Sequence, residues 1–231
     1  MHRFQHIDTW VFDLDNTLYS ADGHVFEAMR GRMHLYISEK FKMSLEEARK
    51  LSDHYYHTYG TTLAGLMKEH GEHPDDFLHF VHDLDLTHMT HCPITKEWVD
   101  QLPGRKIIYT NAARMHAERI LDVLQIKDAF EDIFDIADAD YIPKPDPKPY
   151  QVFMDKYKID PKRSCMLEDQ AKNLRPAHQL GMTTIWLDQA QGHLQEEHMG
   201  DHIHHNATDI QDLILNYIEH EIDLEFARNR G

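Results

Sequence analysis

Two aspartates separated by one residue, Asp13 and Asp15, are the strongest chemical feature of this sequence. They follow the apolar run 10–12 and precede the turn-forming pair Asn16-Thr17. Side chains alternate along a strand with period two, so both carboxylates would point to the same side. Paired carboxylates repel one another, and a hard cation such as magnesium relieves that repulsion through oxygen ligands. The alternative is an ordinary acidic turn after an edge strand.

Three further polar groups follow predicted strands. Thr110-Asn111 offers a hydroxyl and backbone N–H groups at a helix start, which suits an anion, although an ordinary N-cap has the same pattern. Lys144 stands between two prolines that restrict the backbone, although a single loop lysine is by default exposed. Glu168-Asp169 would ligate a metal or, alternatively, cap the next helix. Each group alone has a structural explanation, and their joint occurrence indicates chemistry.

Together these groups predict phosphoryl transfer to a carboxylate. Asp13 would attack phosphorus, with magnesium between this nucleophile and a phosphate oxygen. Asp15 would protonate the leaving oxygen and then deprotonate the water that hydrolyses the aspartyl-phosphate. Thr110, the Asn111 N–H and Lys144 would balance the charge on the phosphate oxygens. The partner is therefore a small phosphorylated substrate.

Strands and helices alternate from residue 106 onward. The predicted strands are 106–110, 133–136, 164–167 and 183–187, and the predicted helices are 113–125, 148–158 and 171–180. Gly181 is a good stop signal for the last of these helices. This alternation implies right-handed crossovers and a parallel sheet covered on both faces. The predicted fold class is α/β, a doubly wound, Rossmann-like and mostly parallel sheet with an inserted α-helical cap.

The long stretch between the first strand and residue 106 has helical spacing and no convincing strand. Ser44-Leu45-Glu46-Glu47 matches a capping box, and Pro74 fits the first turn of another helix. Open parallel sheets bind ligands beyond the carboxyl ends of their strands, so an insertion at this point would form a lid over the site. The predicted organisation is a catalytic core at 1–18 and 96–218, a helical cap at 19–95 and a polar tail at 219–231.

The composition limits the class of protein. The chain has 231 residues, of which 41% are hydrophobic, and this is typical of a globular fold. A net charge of −16 disfavours a nucleic-acid polymer as partner but permits a small phosphorylated substrate. Cys92 and Cys165 are too few for a disulfide framework, and no apolar run approaches about 18 residues. We expect a soluble cytoplasmic protein without a membrane partner, and the composition leaves the oligomeric state open.

The motifs at the four strand ends are Asp13-x-Asp15-x-Thr17, Thr110, Lys144 and Glu168-Asp169. As a set they resemble the haloacid dehalogenase-like superfamily of phosphohydrolases over the whole core. The resemblance implies that Asp13 is the nucleophile and Asp15 the acid/base. It also implies Mg²⁺ held by the Asp13 carboxylate, the Asp15 backbone carbonyl and Asp169. Glu168 is a secondary candidate for this metal. Asp15 argues against a true dehalogenase, whose leaving group needs no proton.

Shorter segments carry a narrower likeness: 13–19, 59–66, Val81-His82-Asp83, Thr110-Asn111 with His116-Ala117, 143–145, and Glu168-Asp169-x-x-x-Asn173-Leu174. They look like the pyrimidine 5′-nucleotidase branch of the superfamily. That resemblance implies dephosphorylation of pyrimidine nucleoside 5′-monophosphates such as UMP and CMP. One alternative is a sugar-phosphate or phosphoglycolate phosphatase, or a phosphomutase, with the same four motifs. The non-enzyme alternative is a binding or regulatory protein that kept the fold.

Five residues are expected to contact the substrate: Asn111, Tyr59, Thr61, Thr62 and His82. Gly60 would break a helix and place the neighbouring hydroxyls over the site. Alternatively, Gly60 is a plain helix interruption and Tyr59 belongs to the packing of the cap. His82 follows an inward Val81 and would otherwise face solvent.

Histidines near the C-terminus invite a second metal site, since His202, His204 and His205 have His193 and His198 nearby. No acidic partner and no helical spacing accompany these residues. Their alternate positions predict a final strand before a helix that begins near residue 208. We therefore expect no metal among them.

Overall fold

The computed structural model describes residues 4–19, 25–87, 89, 96–188 and 200–215. Six strands form one parallel sheet in the order β3-β2-β1-β4-β5-β6. The strands are β1 Thr9–Phe12, β2 Arg105–Tyr109, β3 Asp132–Phe134, β4 Ser164–Glu168, β5 Thr183–Leu187 and β6 His205–Ala207. This is the doubly wound, Rossmann-like sheet expected from the sequence, and β1 lies inside it between β2 and β4.

Five helices lie between β1 and β2 in the described part of the chain, and the first four are called the cap helices below. The cap helices are α1 Val25–Phe41, α2 Leu45–Tyr59, α3 Thr62–His70 and α4 Pro74–Val81. The capping box predicted at Ser44 and Glu47 is present at the start of α2. Pro74 occupies the first position of α4, also as predicted. Gly60 interrupts the helix as predicted, since it ends α2 with a positive φ of 87° and α3 begins two residues later. The division into two domains stays a prediction.

The remaining helices cover both faces of the sheet. They are α5 Lys96–Asp100, α6 Arg114–Leu124, α7 Pro147–Tyr157, α8 Ala171–Leu180 and α9 Ile210–Leu213. Side chains of β1 alternate, so Trp10 and Phe12 pack on one face with Ile120 of α6. Val11 packs on the opposite face with Phe153 of α7. No helix in the described part of the chain is both long and apolar enough to cross a membrane.

One strand is shorter than its apolar pattern predicted. β3 ends at Phe134, whereas the pattern predicted a strand through residue 136. Asp135 explains the difference, because its Oδ1 accepts a hydrogen bond from the backbone N–H of Asp138 at 2.9 Å. Its Oδ2 accepts another from the N–H of Arg114 at 2.8 Å. The carboxylate therefore turns the chain and satisfies a free donor at the start of α6.

A glycine allows α2 and α3 to approach each other closely. A Cβ atom added at Gly65 would lie 2.2 Å from the side chain of Tyr55. Tyr55 is buried, and its hydroxyl lies 2.6 Å from Nε2 of His70 at the end of α3. The packing of the cap helices therefore requires a residue without a side chain at position 65.

Replacing Gly65 by Ala should lower the free energy of unfolding by about 1–3 kcal/mol, because the buried Tyr55 ring must shift. Gly31 in α1 is the matched control, since a Cβ there would meet nothing within 4 Å. Gly31→Ala should raise stability by up to about 1 kcal/mol through helix propensity. Urea unfolding followed by circular dichroism measures both changes. Similar changes in the two variants would contradict the proposed contact.

Candidate active site

The carboxyl ends of β1, β2 and β4 meet at one edge of the sheet. Phe12 is paired in register with Ile108 of β2 and with Leu167 of β4. The backbone N–H of Asp13 continues the ladder by donating to the Leu167 carbonyl at 3.0 Å. The residues that follow the paired positions are Asp13, Tyr109 and Glu168, and after the last two come Thr110 and Asp169. The parallel register therefore gathers three distant motifs at one place.

A buried lysine connects these strand ends. Nζ of Lys144 donates to Oδ1 of Asp13 and to Oε1 of Glu168, both at 2.7 Å, and to the Tyr109 carbonyl at 2.9 Å. Its backbone N–H donates to Oδ1 of Asn111 at 2.8 Å, which fixes the loop that carries it. Burial opposes the charge, but the two carboxylates raise the pKa of Lys144 above its ordinary value. Lys144 is therefore a buried cation and not an exposed loop lysine.

Three acids surround this single ammonium. Carboxylate oxygens of Asp13, Glu168 and Asp169 lie within 4.8 Å of one another. Burial, reinforced by repulsion among the acids, raises the pKa of Asp13 to about 7 and that of Asp169 well above its ordinary value. The charge of Lys144 does not balance three carboxylates, and a divalent cation with oxygen ligands would do so. The residues fit Mg²⁺, which the Asp13 and Asp169 carboxylates would hold, and the family resemblance implies the Asp15 backbone carbonyl as a further ligand.

Glu168 suits a structural role better than metal ligation. Its Oε1 accepts hydrogen bonds from Lys144 and from Nδ2 of Asn173, each at 2.7 Å. Its Oε2 accepts from the backbone N–H of Gln170 at 2.7 Å. Both oxygens are thus occupied in a fully buried side chain. Glu168 holds the lysine in position, and it also caps the chain that leads into α8.

The two residues after β2 have different tasks. The Thr110 hydroxyl accepts a hydrogen bond from the Ala112 backbone N–H at 3.0 Å and lines the cavity, so its own hydrogen is left to donate. The Asn111 side chain faces the loop of Lys144, where its Oδ1 accepts from the lysine N–H. Thr110 is not the N-cap of α6, a position that Ala113 occupies, so its hydroxyl fits the anion-binding alternative and not the capping one. Asn111 also lines the cavity but uses its side chain to hold that loop.

Asp15 has an environment unlike that of Asp13. Its Oδ1 accepts a hydrogen bond from the Tyr19 hydroxyl at 2.5 Å and lies 3.1 Å from Nε2 of His116. Burial alone would raise the pKa of Asp15, but the imidazole and the hydroxyl hold it below its ordinary value. The resting carboxyl is therefore ionised. A phosphate dianion beside it would raise this pKa by repulsion and favour proton uptake.

Two stacked histidines lie behind Asp15. His116 of α6 is fully buried, and His82, which follows α4, is 2% exposed. Their ring centroids are 4.5 Å apart with an interplanar angle of 19°. Burial and the neighbouring imidazole lower the pKa of His82 to about 3, so its ring is neutral. His82 lines the cavity and does not face solvent. No role was predicted for His116, whose only signal was its place in one of the motifs.

A cavity of about 450 Å³ lies between the strand ends and the cap helices. The acids, Lys144 and Thr110 form its polar end. The apolar wall opposite comes from the cap helices and includes Phe26, Met29, Met33, Phe77 and Val81. A concave site of this size, apolar with a few convergent polar groups, is typical of small-molecule binding.

Two threonines expected to contact the substrate line this cavity, and both also have structural partners. Thr61 is the N-cap of α3, where its Oγ1 accepts from the Ala64 N–H at 3.1 Å. The Thr62 hydroxyl lies 2.8 Å from that of Ser52 in α2. A threonine hydroxyl has one donor and two acceptor sites, so these contacts leave capacity for a ligand.

Tyr59 does not line the cavity, which corrects its expected position over the site. Its hydroxyl donates to Glu69, and its ring packs against Tyr55. Tyr59 therefore belongs to the packing of the cap helices. The adjacent Gly60 does line the cavity, and a Cβ there would lie 3.5 Å from the ring of Pro143, beside Lys144.

Two basic side chains of core helices hold the cap segment. Lys172 of α8 donates to the Tyr56 hydroxyl of α2 at 2.8 Å and lies 4.4 Å from the centroid of that ring. Arg119 of α6 donates to the carbonyls of His82 and Leu84, each at 2.6 Å. The first contact closes one side of the cavity, and the second fixes the chain that leaves α4.

The C-terminal histidines have ordinary structural contacts. Nδ1 of His204 lies 2.9 Å from the Thr184 hydroxyl, and its ring packs 5.0 Å from that of His178. His193 and His198 lie outside the described residues. Within the described ranges, the acidic cluster at the strand ends is the one group of three or more ligand side chains close enough to share an ion.

The family assignment agrees with this arrangement. The chain belongs to the haloacid dehalogenase-like hydrolase family, whose model matches residues 7–181. Among curated proteins, Phosphate metabolism protein 8 of Saccharomyces cerevisiae is 27% identical over 195 residues. The match covers 75% of this chain and 59% of the yeast protein. The chain therefore spans less than two thirds of the length of this relative.

Solved structures with the same fold include both phosphatases and dehalogenases. HAD-hydrolase YfnB from Bacillus subtilis, bound to magnesium, has a TM-score of 0.60, 14% identity, and coverage of 92% of this chain and 99% of its own. A HAD phosphatase from Thermococcus onnurineus has a TM-score of 0.61 and 16% identity, and the match covers 90% of this chain and 96% of that protein. The 2-haloacid dehalogenase from Pseudomonas syringae pv. Tomato DC3000 has a TM-score of 0.57 and 17% identity, and the match covers 93% of this chain and 99% of that protein. At such identities the likeness concerns the fold alone.

Magnesium should stabilise the protein more strongly as the pH rises. Folding raises the pKa of Asp13 from 3.8 to about 7, so without metal the folded state holds a proton that the unfolded chain loses within this window. Stability without metal therefore falls as the pH rises through the window, and the ionised cluster then binds the cation. Thermal unfolding should show a larger magnesium-induced rise in Tm at about pH 8 than at about pH 5.

Two variants test the location of this effect. Asp169→Asn should remove most of the magnesium-induced rise in Tm, because it removes a ligand from the acidic cluster. Asp53→Asn is the control, since Asp53 lines the same cavity from α2 outside the cluster. An unchanged rise in Asp169→Asn, or one equal at both pH values, would place the metal elsewhere.

Proposed function

We propose that the protein is a magnesium-dependent phosphomonoesterase that works through an aspartyl-phosphate on Asp13. The observation that carries this proposal is the 2.7 Å contact of Asp13 with Lys144 in the floor of the cavity, beside Asp169. A nucleophilic carboxylate next to an ammonium and a metal-binding acid suits a phosphate dianion, which needs positive partners. Membership of a hydrolase family supports the same reaction class.

In the first step, Asp13 forms a bond to phosphorus while the bond between phosphorus and the ester oxygen breaks. Lys144 pairs with the phosphate oxygens, and the Thr110 hydroxyl and the Asn111 N–H donate to them. Asp15 gives its proton to the leaving oxygen, so the alcohol departs neutral. Bound magnesium would supply charge neutralisation between the Asp13 carboxylate and the phosphate.

In the second step, a water molecule attacks the phosphorus of the aspartyl-phosphate. Asp15, now a carboxylate, takes a proton from this water as the new bond forms. The bond between phosphorus and Asp13 breaks, which returns the carboxylate and releases phosphate. The apolar wall of the cap helices keeps other water away from the intermediate.

Asp15 favours a phosphatase over a dehalogenase, the activity that some structures of this fold have by name. A halide leaves without a proton, so dehalogenation needs no acid at this position. Two donors, Tyr19 and His116, fix the Asp15 carboxyl, which supports a use for it in proton transfer.

Replacing Asp13 by Asn should lower hydrolysis of p-nitrophenyl phosphate with magnesium by at least about 10³-fold, because the amide is a poor nucleophile. Acid-quenched wild-type protein should carry phosphate on the peptide that contains Asp13, and the variant should carry none. Mass spectrometry of the digested protein detects this group. Full hydrolysis by the Asn variant would show that the mechanism is wrong, and an inactive wild type would favour a binding protein.

For the substrate, we propose a pyrimidine nucleoside 5′-monophosphate such as UMP or CMP. The apolar wall with Phe26 and Met33 suits a flat base, and the neutral ring of His82 offers hydrogen bonding without charge. Thr61 and Thr62 bring hydroxyls to the cavity, where a ribose or base would find polar partners. The motif likeness supports the same substrate class, and the name of the yeast relative assigns that protein to phosphate metabolism.

A panel of phosphate esters with magnesium tests this substrate class. UMP and CMP should have a kcat/KM at least about tenfold above that of phosphoglycolate, because only the nucleotides are large enough to contact the apolar wall. Phe26→Ala should raise KM for UMP by about three- to tenfold and leave KM for phosphoglycolate unchanged. Leu35→Ala is the control, since Leu35 is on the same helix, is similarly exposed and does not line the cavity. A clear preference for phosphoglycolate would overturn the substrate but not the reaction.

A further inference from the structure

We propose that His116, together with Tyr19, is a positioning residue that fixes the Asp15 carboxyl for proton transfer. This inference rests on the proposed phosphatase function. Both side chains contact the same oxygen, Oδ1, with Tyr19 at 2.5 Å and Nε2 of His116 at 3.1 Å. Neither is among the described residues that line the cavity. Each therefore acts on the substrate only through Asp15.

The surroundings of His116 leave its ring a single polar contact. The side chain is fully buried, and its Nδ1 has no hydrogen-bond partner among the described residues. A carboxylate oxygen only accepts, so Nε2 carries the hydrogen and donates it to Asp15. Burying an imidazole for one hydrogen bond has a desolvation cost that an apolar residue of similar size would avoid. The histidine is therefore explained by what it does to Asp15.

Contacts between α6 and the chain after α4 hold this ring in place. The ring of His82 stacks on His116 at 4.5 Å, so it limits rotation of the imidazole from one face. Arg119, one turn further along α6, donates to the carbonyls of His82 and Leu84 and fixes the stacked partner. The direction of the hydrogen bond to Asp15 is thus set by packing.

Fixing Oδ1 assigns the chemistry to the other oxygen of Asp15. No described residue donates a hydrogen bond to Oδ2, so Oδ2 is the oxygen left for the substrate. In the first step, a proton moves from Oδ2 to the ester oxygen as its bond to phosphorus breaks and the Asp13 bond forms. In the second, Oδ2 takes a proton from the attacking water as the Asp13 bond breaks. A carboxyl held in one orientation presents Oδ2 to the ester oxygen in the first step and to the water oxygen in the second without a change of rotamer.

Leaving-group dependence tests this role, because only a poor leaving group needs the proton. The probes are p-nitrophenyl phosphate and phenyl phosphate, which are similar in size, with kcat/KM as the readout. The value of kcat/KM reports only the steps up to formation of the phosphoenzyme. It does not depend on the later hydrolysis of the phosphoenzyme, which is the same for both esters. His116→Leu should lower kcat/KM for phenyl phosphate by about 10- to 100-fold and for p-nitrophenyl phosphate by less than about threefold. His116→Gln, whose amide can donate to Oδ1, should restore most of the loss.

Tyr19→Phe is the second variant, and it removes one hydroxyl without changing the ring. Tyr19→Phe should also lower kcat/KM for phenyl phosphate more than kcat/KM for p-nitrophenyl phosphate. If circular dichroism shows that His116→Leu does not fold, the result for Tyr19→Phe tests the positioning role. Equal losses for the two esters, or no loss for either, would overturn the positioning role and leave the phosphatase proposal standing. A wild type that hydrolyses neither ester would overturn the proposed function and this inference with it.

Discussion

A charged ammonium buried under a sheet edge needs carboxylate partners, and Lys144 has two of them in Asp13 and Glu168. Burial of the three groups has a large desolvation cost, which their close contacts offset only while every partner stays in place. Asn111 holds the loop of Lys144, and Asn173 holds the carboxylate of Glu168. This network joins β1, β4 and the loops that follow β2 and β3, so it fixes the geometry of the whole site.

Asp13 and Asp15 show how environment separates two acids that are two residues apart. Burial among other carboxylates raises the pKa of Asp13, whereas His116 and Tyr19 lower that of Asp15 against the effect of burial. A cation beside Asp13 would lower its pKa, and a phosphate dianion beside Asp15 would raise the other. Binding would therefore shift the two pKa values in opposite directions, each toward the protonation state that the proposed role of the acid requires.

Local patterns in the sequence predicted the parallel sheet, its strand ends and the capping box well, because apolar runs and caps depend on neighbouring residues. Contacts between distant segments were not predictable in this way. His116 meets Asp15 across 101 positions, and nothing local marks that contact. Tyr59 turns away from the cavity because Glu69 and Tyr55 bind it, and Asp135 ends a strand through its own hydrogen bonds. In these places tertiary partners override the pattern.

The close approach of Gly60 to Pro143 links two parts of the site that are far apart in the chain. Pro143 directly precedes Lys144, so the bend that ends α2 rests on the segment from which the ammonium extends. A methyl group at position 60 would make an ordinary contact with Pro143, so only a side chain longer than that of alanine would press on the proline segment. A long side chain at this bend would therefore also displace the loop that carries the Lys144 ammonium, although position 60 and residue 144 are far apart in the chain.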